Sequence, residues 1–184
     1  MSNSFDDAEI HRIVQNVVQN VMGSPMRENV QPSGKKVVAI GADHGGFELK
    51  EALKGDITAL GFEVSDVGTN SKEAVDYPDF AHAVAQLVGS GKAWCGIMID
   101  GAGIGSCIVA NKVPGVRAGM AYDISSANNS REHNDTNVLT LGAGLIGAAL
   151  AKQIVKVWLT TEFAGGRHTP RVDKIMVVEK KYLK

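Results

Sequence analysis

The pattern of apolar residues changes near residue 37. Before it, apolar side chains recur at spacings of three and four residues from Ile10 to Met22, which predicts an amphipathic helix within residues 1–22. Residues 23–36 contain Gly, Ser, Pro and polar residues without an apolar period, and we interpret them as a flexible linker. From residue 37 to residue 184, short apolar runs alternate with helical stripes, which predicts a single domain.

Within this domain, five short apolar runs are predicted to be buried strands, at 36–41, 62–67, 95–99, 116–120 and 138–141. Helical patterns separate or follow them, at 47–60, 77–88, 104–112, 125–133, 146–159 and 172–182. The alternation predicts an α/β fold, a Rossmann-like doubly wound five-stranded parallel sheet in three layers. Ligands of such sheets bind at the carboxyl ends of the strands, so the residues that follow each strand are the candidates for chemistry.

Composition narrows the classes of function. The net charge of −1 argues against a protein that coats nucleic acid. The N-terminus lacks the basic segment and apolar run of a secretory signal, and two cysteines make neither a disulfide framework nor a zinc site. We therefore expect a cytoplasmic protein. The 21 glycines favour close approaches of the backbone, including approaches to a ligand.

Two glycine-containing loops follow predicted strands. Asp43 and His44 follow the first strand, and their alternative interpretation is a helix cap with an exposed histidine. After the third strand, Asp100 precedes three alternating glycines whose N–H groups could hold a phosphate or the oxyanion of an enediolate. The spacing matches neither a dinucleotide-binding loop nor a P-loop, and Asp100 is equally well a base or a cap.

Two polar stretches complete the set of candidates. Residues 123–137 are dense in functional groups, although composition alone favours a solvated helix end. Residues 165–171 place Arg167 and Arg171 four residues apart beside a histidine, which suits a phosphate clamp or an ordinary charged surface.

Together these motifs, with Val75-Asp-Tyr-Pro-Asp79 and Ala110-Asn-Lys-Val-Pro-Gly115, occur in the order seen in one family. The sequence from about 37 to 175 resembles the ribose-5-phosphate isomerase B and galactose-6-phosphate isomerase (LacA/LacB-type) family. The resemblance implies a metal-independent aldose–ketose isomerase without a cofactor. It also implies a homodimer, or a dimer of dimers, with the site built across the interface.

The resemblance assigns roles to individual residues. Asp43 and His133 would serve ring opening, Asp100 would carry the proton between C2 and C1, and His44 would contact the substrate near its phosphate. The remaining substrate-binding residues would be the loop that holds the enediolate, Asn134, and the two phosphate-binding arginines: Gly101, Ala102, Gly103, Ile104, Gly105, Asn134, Arg167 and Arg171.

The chain departs from the family pattern at positions that matter for these roles. Asp100 stands where many members have a cysteine base, and Ser106 where others have a glutamate. Ala102 replaces a hydroxyl residue, and Gly144 stands where an arginine is usual. Four interpretations remain: a ribose-5-phosphate isomerase, an isomerase of another sugar phosphate, a catalytically impaired sugar-phosphate-binding or assembly protein, and, more weakly, a nucleotide-binding protein.

Residues 1–36 precede the part of the chain that carries the resemblance. An amphipathic helix followed by a Gly/Ser/Pro linker resembles the encapsulation peptides of bacterial microcompartment cargo, so residues 5–22 are expected to bind a shell protein or other cargo. The alternative is a helix that packs within its own oligomer. Balanced charges argue against a membrane-surface helix.

Overall fold

The structure is a computed structural model that describes residues 34–182. The predicted N-terminal helix, and the predicted linker up to residue 33, lie outside the described residues. No helix in the described part of the chain is long and apolar enough to cross a membrane.

The domain is built on one five-stranded sheet with the order β2–β1–β3–β5–β4. All neighbouring strands pair in parallel, as predicted for a doubly wound sheet. The strands are β1 (Val37–Ala42), β2 (Glu63–Asp66), β3 (Cys95–Asp100), β4 (Ala118–Met120) and β5 (Val138–Gly142). Every residue of β3 and β5 is buried, because helices cover both faces of the sheet.

Within residues 34–182, six α-helices accompany the sheet: α1 (Phe47–Ala59), α2 (Tyr77–Gly89), α3 (Ile104–Ala110), α4 (Ile124–Glu132), α5 (Ala148–Thr160) and α6 (Thr169–Tyr182). Helices α1, α4 and α5 supply side chains to the apolar cluster on one face, which is centred on Trp158 and Leu53. Helices α2 and α3 supply Val84 and Ala110 to the cluster on the other face. The predicted Rossmann-like α/β fold is confirmed, in three layers.

Several boundaries differ from the predicted ones. Strand β4 begins two residues late because the N–H of Arg117 donates to the side-chain oxygen of Asn137, 2.7 Å away, instead of to a strand carbonyl. Helix α6 begins at Thr169, three residues earlier than predicted, after a short 3-10 helix (Gly166–His168). Pro170 fits there because the first helical turn has no partner for a backbone N–H.

The connections place the site. The chain leaves β1 toward α1 on one face of the sheet and leaves β3 toward α3 on the other face. Since β1 and β3 are neighbours, the loops that follow them lie side by side at the carboxyl edge of the sheet, where doubly wound sheets bind their ligands.

Candidate active site

The loop after β1 is tied to the end of β3. The N–H of Asp43 donates to the carbonyl of Ile99 over 3.1 Å, and Oδ1 of Asp43 accepts from the N–H of Gly46 over 3.0 Å. A Cβ on Gly46 would lie 2.3 Å from the Ile99 carbonyl oxygen, so only glycine allows this approach. The buried carboxyl of Asp43 is therefore held at the carboxyl edge of the sheet.

His44, the next residue, is exposed and contacts the loop before α2. Its Nδ1 lies 3.3 Å from the N–H of Val75 and 3.2 Å from the Val75 carbonyl oxygen. When Nδ1 accepts the Val75 N–H, the ring proton resides on Nε2. The Val75–Asp79 motif thus orients the histidine that the sequence places beside Asp43.

The loop after β3 folds around the carboxylate of Asp100. Oδ1 accepts hydrogen bonds from the N–H groups of Ala102, at 2.8 Å, and Gly103. Oδ2 accepts from the N–H of Ser106, at 3.2 Å, and from the Ser106 hydroxyl. Asp100 is 4% exposed and Ser106 is fully buried. All four acceptor positions of the carboxylate are occupied by its own loop.

The remaining N–H groups of this loop are unbonded. Those of Gly101, Ile104 and Gly105 donate to no acceptor in the described part of the chain. Gly105 packs on the ring of Tyr77 so closely that a Cβ would lie 2.5 Å from the ring carbon Cζ. The loop can thus offer three backbone donors to a ligand while Asp100 fixes its shape.

The loop after β5 packs against the same loop from the other side. The N–H of Gly144 donates to the carbonyl of Gly101 over 3.0 Å, and a Cβ on Gly144 would also lie 3.0 Å from that oxygen. A Cβ on Gly142 would lie 2.6 Å from the carbonyl oxygen of Ala102. Gly144 therefore lies against the glycine loop, in the place where the resemblance expects an arginine.

A second group of candidate residues lies where α4 ends and α6 begins. The rings of His133 and His168 stack with centroids 4.1 Å apart and planes 8° apart. Nδ1 of His133 lies 2.8 Å from the side-chain nitrogen of Asn129, which donates to it and leaves the ring proton on Nε2. Arg167 donates from Nε to Nε2 of His168 over 3.3 Å. The pairing of His133 with the arginine segment is therefore direct.

Sequence analysis noted His168 only as the histidine beside the two arginines, whereas the structure stacks it on His133. Burial, followed by electrostatic repulsion from His133, Arg167 and Arg171, holds the pKa of His168 below its usual value. A neutral His168 keeps a lone pair for Arg167. The feature of the sequence that pointed to His168 was its position between Arg167 and Arg171.

Asn134 does not lie beside the glycine loop of its own chain, where a role in holding the enediolate would place it. It is exposed, and its side-chain nitrogen donates to the carbonyl of Asn129 over 3.3 Å. It lines a groove of about 820 Å³ between β4 and α6, whose apolar wall includes Ile175 and Val178. Among residues 34–182, no hydrogen bond, ion pair or ring contact joins this second group to the loops after β1 and β3.

Comparison with known proteins identifies the family. The family model described as Ribose/Galactose Isomerase matches residues 38–175, which is most of the chain. The chain belongs to this family.

Relatives in the ribose/galactose isomerase family match over nearly their whole length. Ribose-5-phosphate isomerase B of Escherichia coli (strain K12) is 45% identical over 146 residues, 79% of this chain and 98% of that protein. D-erythrulose-4-phosphate isomerase of Pectobacterium atrosepticum is 42% identical over 139 residues, 75% and 91% of the two chains. The structure of Clostridium thermocellum ribose-5-phosphate isomerase B superposes with a TM-score of 0.78 at 50% identity, over 80% of this chain and 99% of that one.

Cys107, in α3, is poorly suited to replace the cysteine base that many family members have at the position of Asp100. It is half-buried, and its Sγ lies 3.5 Å from the carbonyl oxygen of Ala118. Burial raises the pKa of the Cys107 thiol, so the thiol stays protonated at neutral pH. No group of three potential metal ligands occurs among the residues that the structure describes.

Proposed function

We propose that this chain interconverts ribose 5-phosphate and ribulose 5-phosphate by ring opening followed by proton transfer through a cis-enediolate. One observation carries the proposal. The loops after β1 and β3 bring the carboxyls of Asp43 and Asp100 and three unbonded N–H groups to one edge of the sheet, in a chain of the ribose/galactose isomerase family.

Ring opening requires one group that takes the proton of the anomeric hydroxyl and one that protonates the ring oxygen. Asp43 suits the first task, because its Oδ1 is held by Gly46 while its Oδ2 accepts no hydrogen bond from the described residues. His133 suits the second task, because Asn129 leaves the ring proton on Nε2. His44 would contact the substrate beside Asp43.

Proton transfer is assigned to Asp100. The enediolate that forms as Asp100 takes the C2 proton carries a negative charge on O1, and fixed N–H donors stabilise such a charge. The unbonded N–H groups of Gly101, Ile104 and Gly105 are the donors for this oxygen and its neighbour O2. Ala102 and Gly103 complete the loop and hold Oδ1 of Asp100.

The phosphate of the sugar is assigned to two exposed arginines, Arg167 in the 3-10 helix before α6 and Arg171 in the first turn of α6. Guanidinium groups bind phosphate through paired charge-assisted hydrogen bonds. The hydrogen bond from Arg167 to His168 orients one of them.

We further propose that the working enzyme is a homodimer, or a dimer of dimers, with each site shared between subunits. Among residues 34–182 of one chain, no hydrogen bond, ion pair or ring contact joins His133 and Arg167 to the loops after β1 and β3, so a second subunit would supply these two residues together with Asn134. Helix α6 also exposes apolar side chains, including Ile175, Val177 and Val178, as expected of a helix that packs on a partner.

Subunit complementation tests the shared site. An Asp100→Asn variant and an Arg167→Ala variant, each with strongly reduced kcat/KM alone, are mixed and allowed to exchange subunits, and activity is assayed at a substrate concentration well below KM. Because half of the dimers are then mixed and each has one intact site, about a quarter of wild-type activity is expected. Absence of any recovery, with exchange verified by mass, would show that each site belongs to a single chain.

The substrate is tested by measuring kcat/KM for ribose 5-phosphate, allose 6-phosphate, galactose 6-phosphate and D-erythrulose 4-phosphate. We expect ribose 5-phosphate to be preferred. Turnover of another sugar with rejection of ribose 5-phosphate would support the second candidate, an isomerase of a different sugar phosphate, which the name of the Pectobacterium relative favours.

A third candidate is a sugar-phosphate-binding or assembly protein with little activity, favoured by the four hydrogen bonds that already occupy Asp100. Saturable binding of ribose 5-phosphate without turnover of any of the four sugars would establish it and exclude the isomerase.

For residues 1–36 we propose a targeting role, with the enzyme carried inside a bacterial microcompartment. The family match begins at residue 38, so these residues precede the isomerase domain. Deleting residues 1–34 is expected to leave kcat/KM unchanged and to abolish co-purification with shells, as should Val14→Asp on the predicted apolar stripe. Gln15→Asp, on the polar face, is the matched control. Loss of activity in a folded truncated oligomer would contradict the separation of roles.

A further inference from the structure

Four hydrogen bonds hold the Asp100 carboxylate, and they differ in how easily they can be released. The two on Oδ1 come from the N–H groups of Ala102 and Gly103. Gly103 has φ +78°, and a Cβ on it would lie 3.0 Å from the Leu141 backbone carbon, so this backbone is tightly enclosed. Neither donor can turn away without moving the loop.

The two bonds on Oδ2 both come from Ser106. Its N–H, 3.2 Å away, belongs to the first turn of α3 and is fixed with it. Its hydroxyl is the one donor among the four that can turn away by rotation about a single side-chain bond. That rotation frees an acceptor position on Oδ2 while the other three bonds still hold the carboxylate in place.

We propose that Ser106 is a positioning residue, whose hydroxyl opens Oδ2 of Asp100 to accept the substrate proton and then supports the protonated acid. The inference rests on the proposed function of Asp100 as the base. A hydroxyl suits both states because it donates to a carboxylate and accepts from a carboxylic acid. The two backbone donors on Oδ1 can do only the first.

In the proposed step, Asp100 moves a proton from C2 to C1 of the open-chain aldose. The C2–H bond breaks, its proton binds Oδ2, its electron pair forms the C1–C2 double bond, and the C1 carbonyl pair moves onto O1. The negative charge passes from Asp100 to the enediolate. The hydroxyl proton of O2 then shifts to O1, and Asp100 returns its proton to C1, which leaves the ketose and the carboxylate.

Ser106→Ala and Ser106→Thr test the role, with kcat, KM and the primary isotope effect measured on ribose 5-phosphate and its 2-deuterated form. Ser106→Ala leaves the buried O–H of the protonated Asp100 without an acceptor, which predicts a kcat about 10- to 100-fold lower. KM should change little, and the isotope effect should rise because proton transfer becomes slower. Ser106→Thr keeps the hydroxyl and should retain most of kcat.

Thr140→Val is the control, since it removes another fully buried hydroxyl that makes no bond to Asp100. Should Ser106→Ala fail to fold, Ser106→Cys keeps nearly the same volume and replaces the hydroxyl by a weak donor, and the same fall in kcat at constant KM is expected. Wild-type kcat in whichever of these variants folds overturns the inference.

A Thr variant as slow as the Ala variant, with both folded, also overturns the inference. Different outcomes would refute the proposed isomerase function and the role of Ser106. The function is refuted if the wild type turns over no sugar phosphate, whereas an active wild type, an inactive Asp100→Asn and an unaffected Ser106→Ala refute the role of Ser106 alone.

Discussion

Replacing Asp100 by asparagine changes both the basicity of the site and the hydrogen bonds that shape its loop. Asparagine keeps one acceptor oxygen and turns the other into an NH₂ donor. With its oxygen toward Ala102 and Gly103, two of the four hydrogen bonds survive. The NH₂ then faces Ser106, whose hydroxyl can rotate to accept but whose N–H cannot.

The size of both effects follows from this geometry. One buried N–H without an acceptor costs about 1–3 kcal/mol of unfolding free energy. For a domain of this size each kcal/mol lowers the melting temperature by about 2–4 °C, so a fall of about 2–12 °C is expected. Loss of the base should lower kcat by about 10²- to 10⁴-fold. KM should change little because the side-chain volume is kept.

Thermal unfolding followed by circular dichroism and steady-state kinetics on ribose 5-phosphate check the two effects separately. Asp123→Asn is the matched control, because Asp123 also accepts a backbone N–H, from Ser126 at 2.7 Å, but caps an exposed helix end where asparagine is equally suitable. An unchanged melting temperature in Asp100→Asn would refute the hydrogen-bond account. Near-normal kcat would refute Asp100 as the base.

Three further outcomes are expected from the same structure. The pKa of His168 is held below its usual value near 6.5, so just below pH 6.5 the unfolded chain binds more protons than the folded one and stability falls with acidification. The melting temperature of His168→Gln should therefore fall less than that of the wild type between pH 7.5 and 5.5. Equal falls in the two proteins would contradict this. Gly142→Ala should cost about 1–3 kcal/mol because its Cβ would lie 2.6 Å from the backbone carbonyl oxygen of Ala102, whereas Gly147→Ala, with nothing within 4 Å of its Cβ, should cost much less. Equal denaturant midpoints for the two variants would refute the packing argument. Arg167→Ala and Arg171→Ala should each raise KM about tenfold or more through loss of a charge-assisted hydrogen bond to phosphate, and unchanged KM values would remove them from the phosphate site.

The order of helices and strands could be read from the sequence, because the signals for it are local. A buried parallel strand is a short apolar run and a covering helix is an apolar stripe, and both are visible within about ten residues. The same reading located Asp43 and Asp100 at strand ends. The order of the strands in the sheet could not be read in this way, since pairing partners are distant in sequence.

The contacts that specify the chemistry depend on residues brought together by folding. His133 and His168 stack although 35 residues separate them in the sequence, and Gly144 meets Gly101 across two neighbouring strands. Even Ser106, six residues from Asp100, reaches it only because Gly103 adopts φ +78° and turns the loop back on the carboxylate. The type of each residue is visible in the sequence. Whether an oxygen of Asp100 already accepts a hydrogen bond depends on the geometry of the whole loop. The sequence by itself therefore determined which groups are available, and the tertiary structure decided which of them are already bonded to one another.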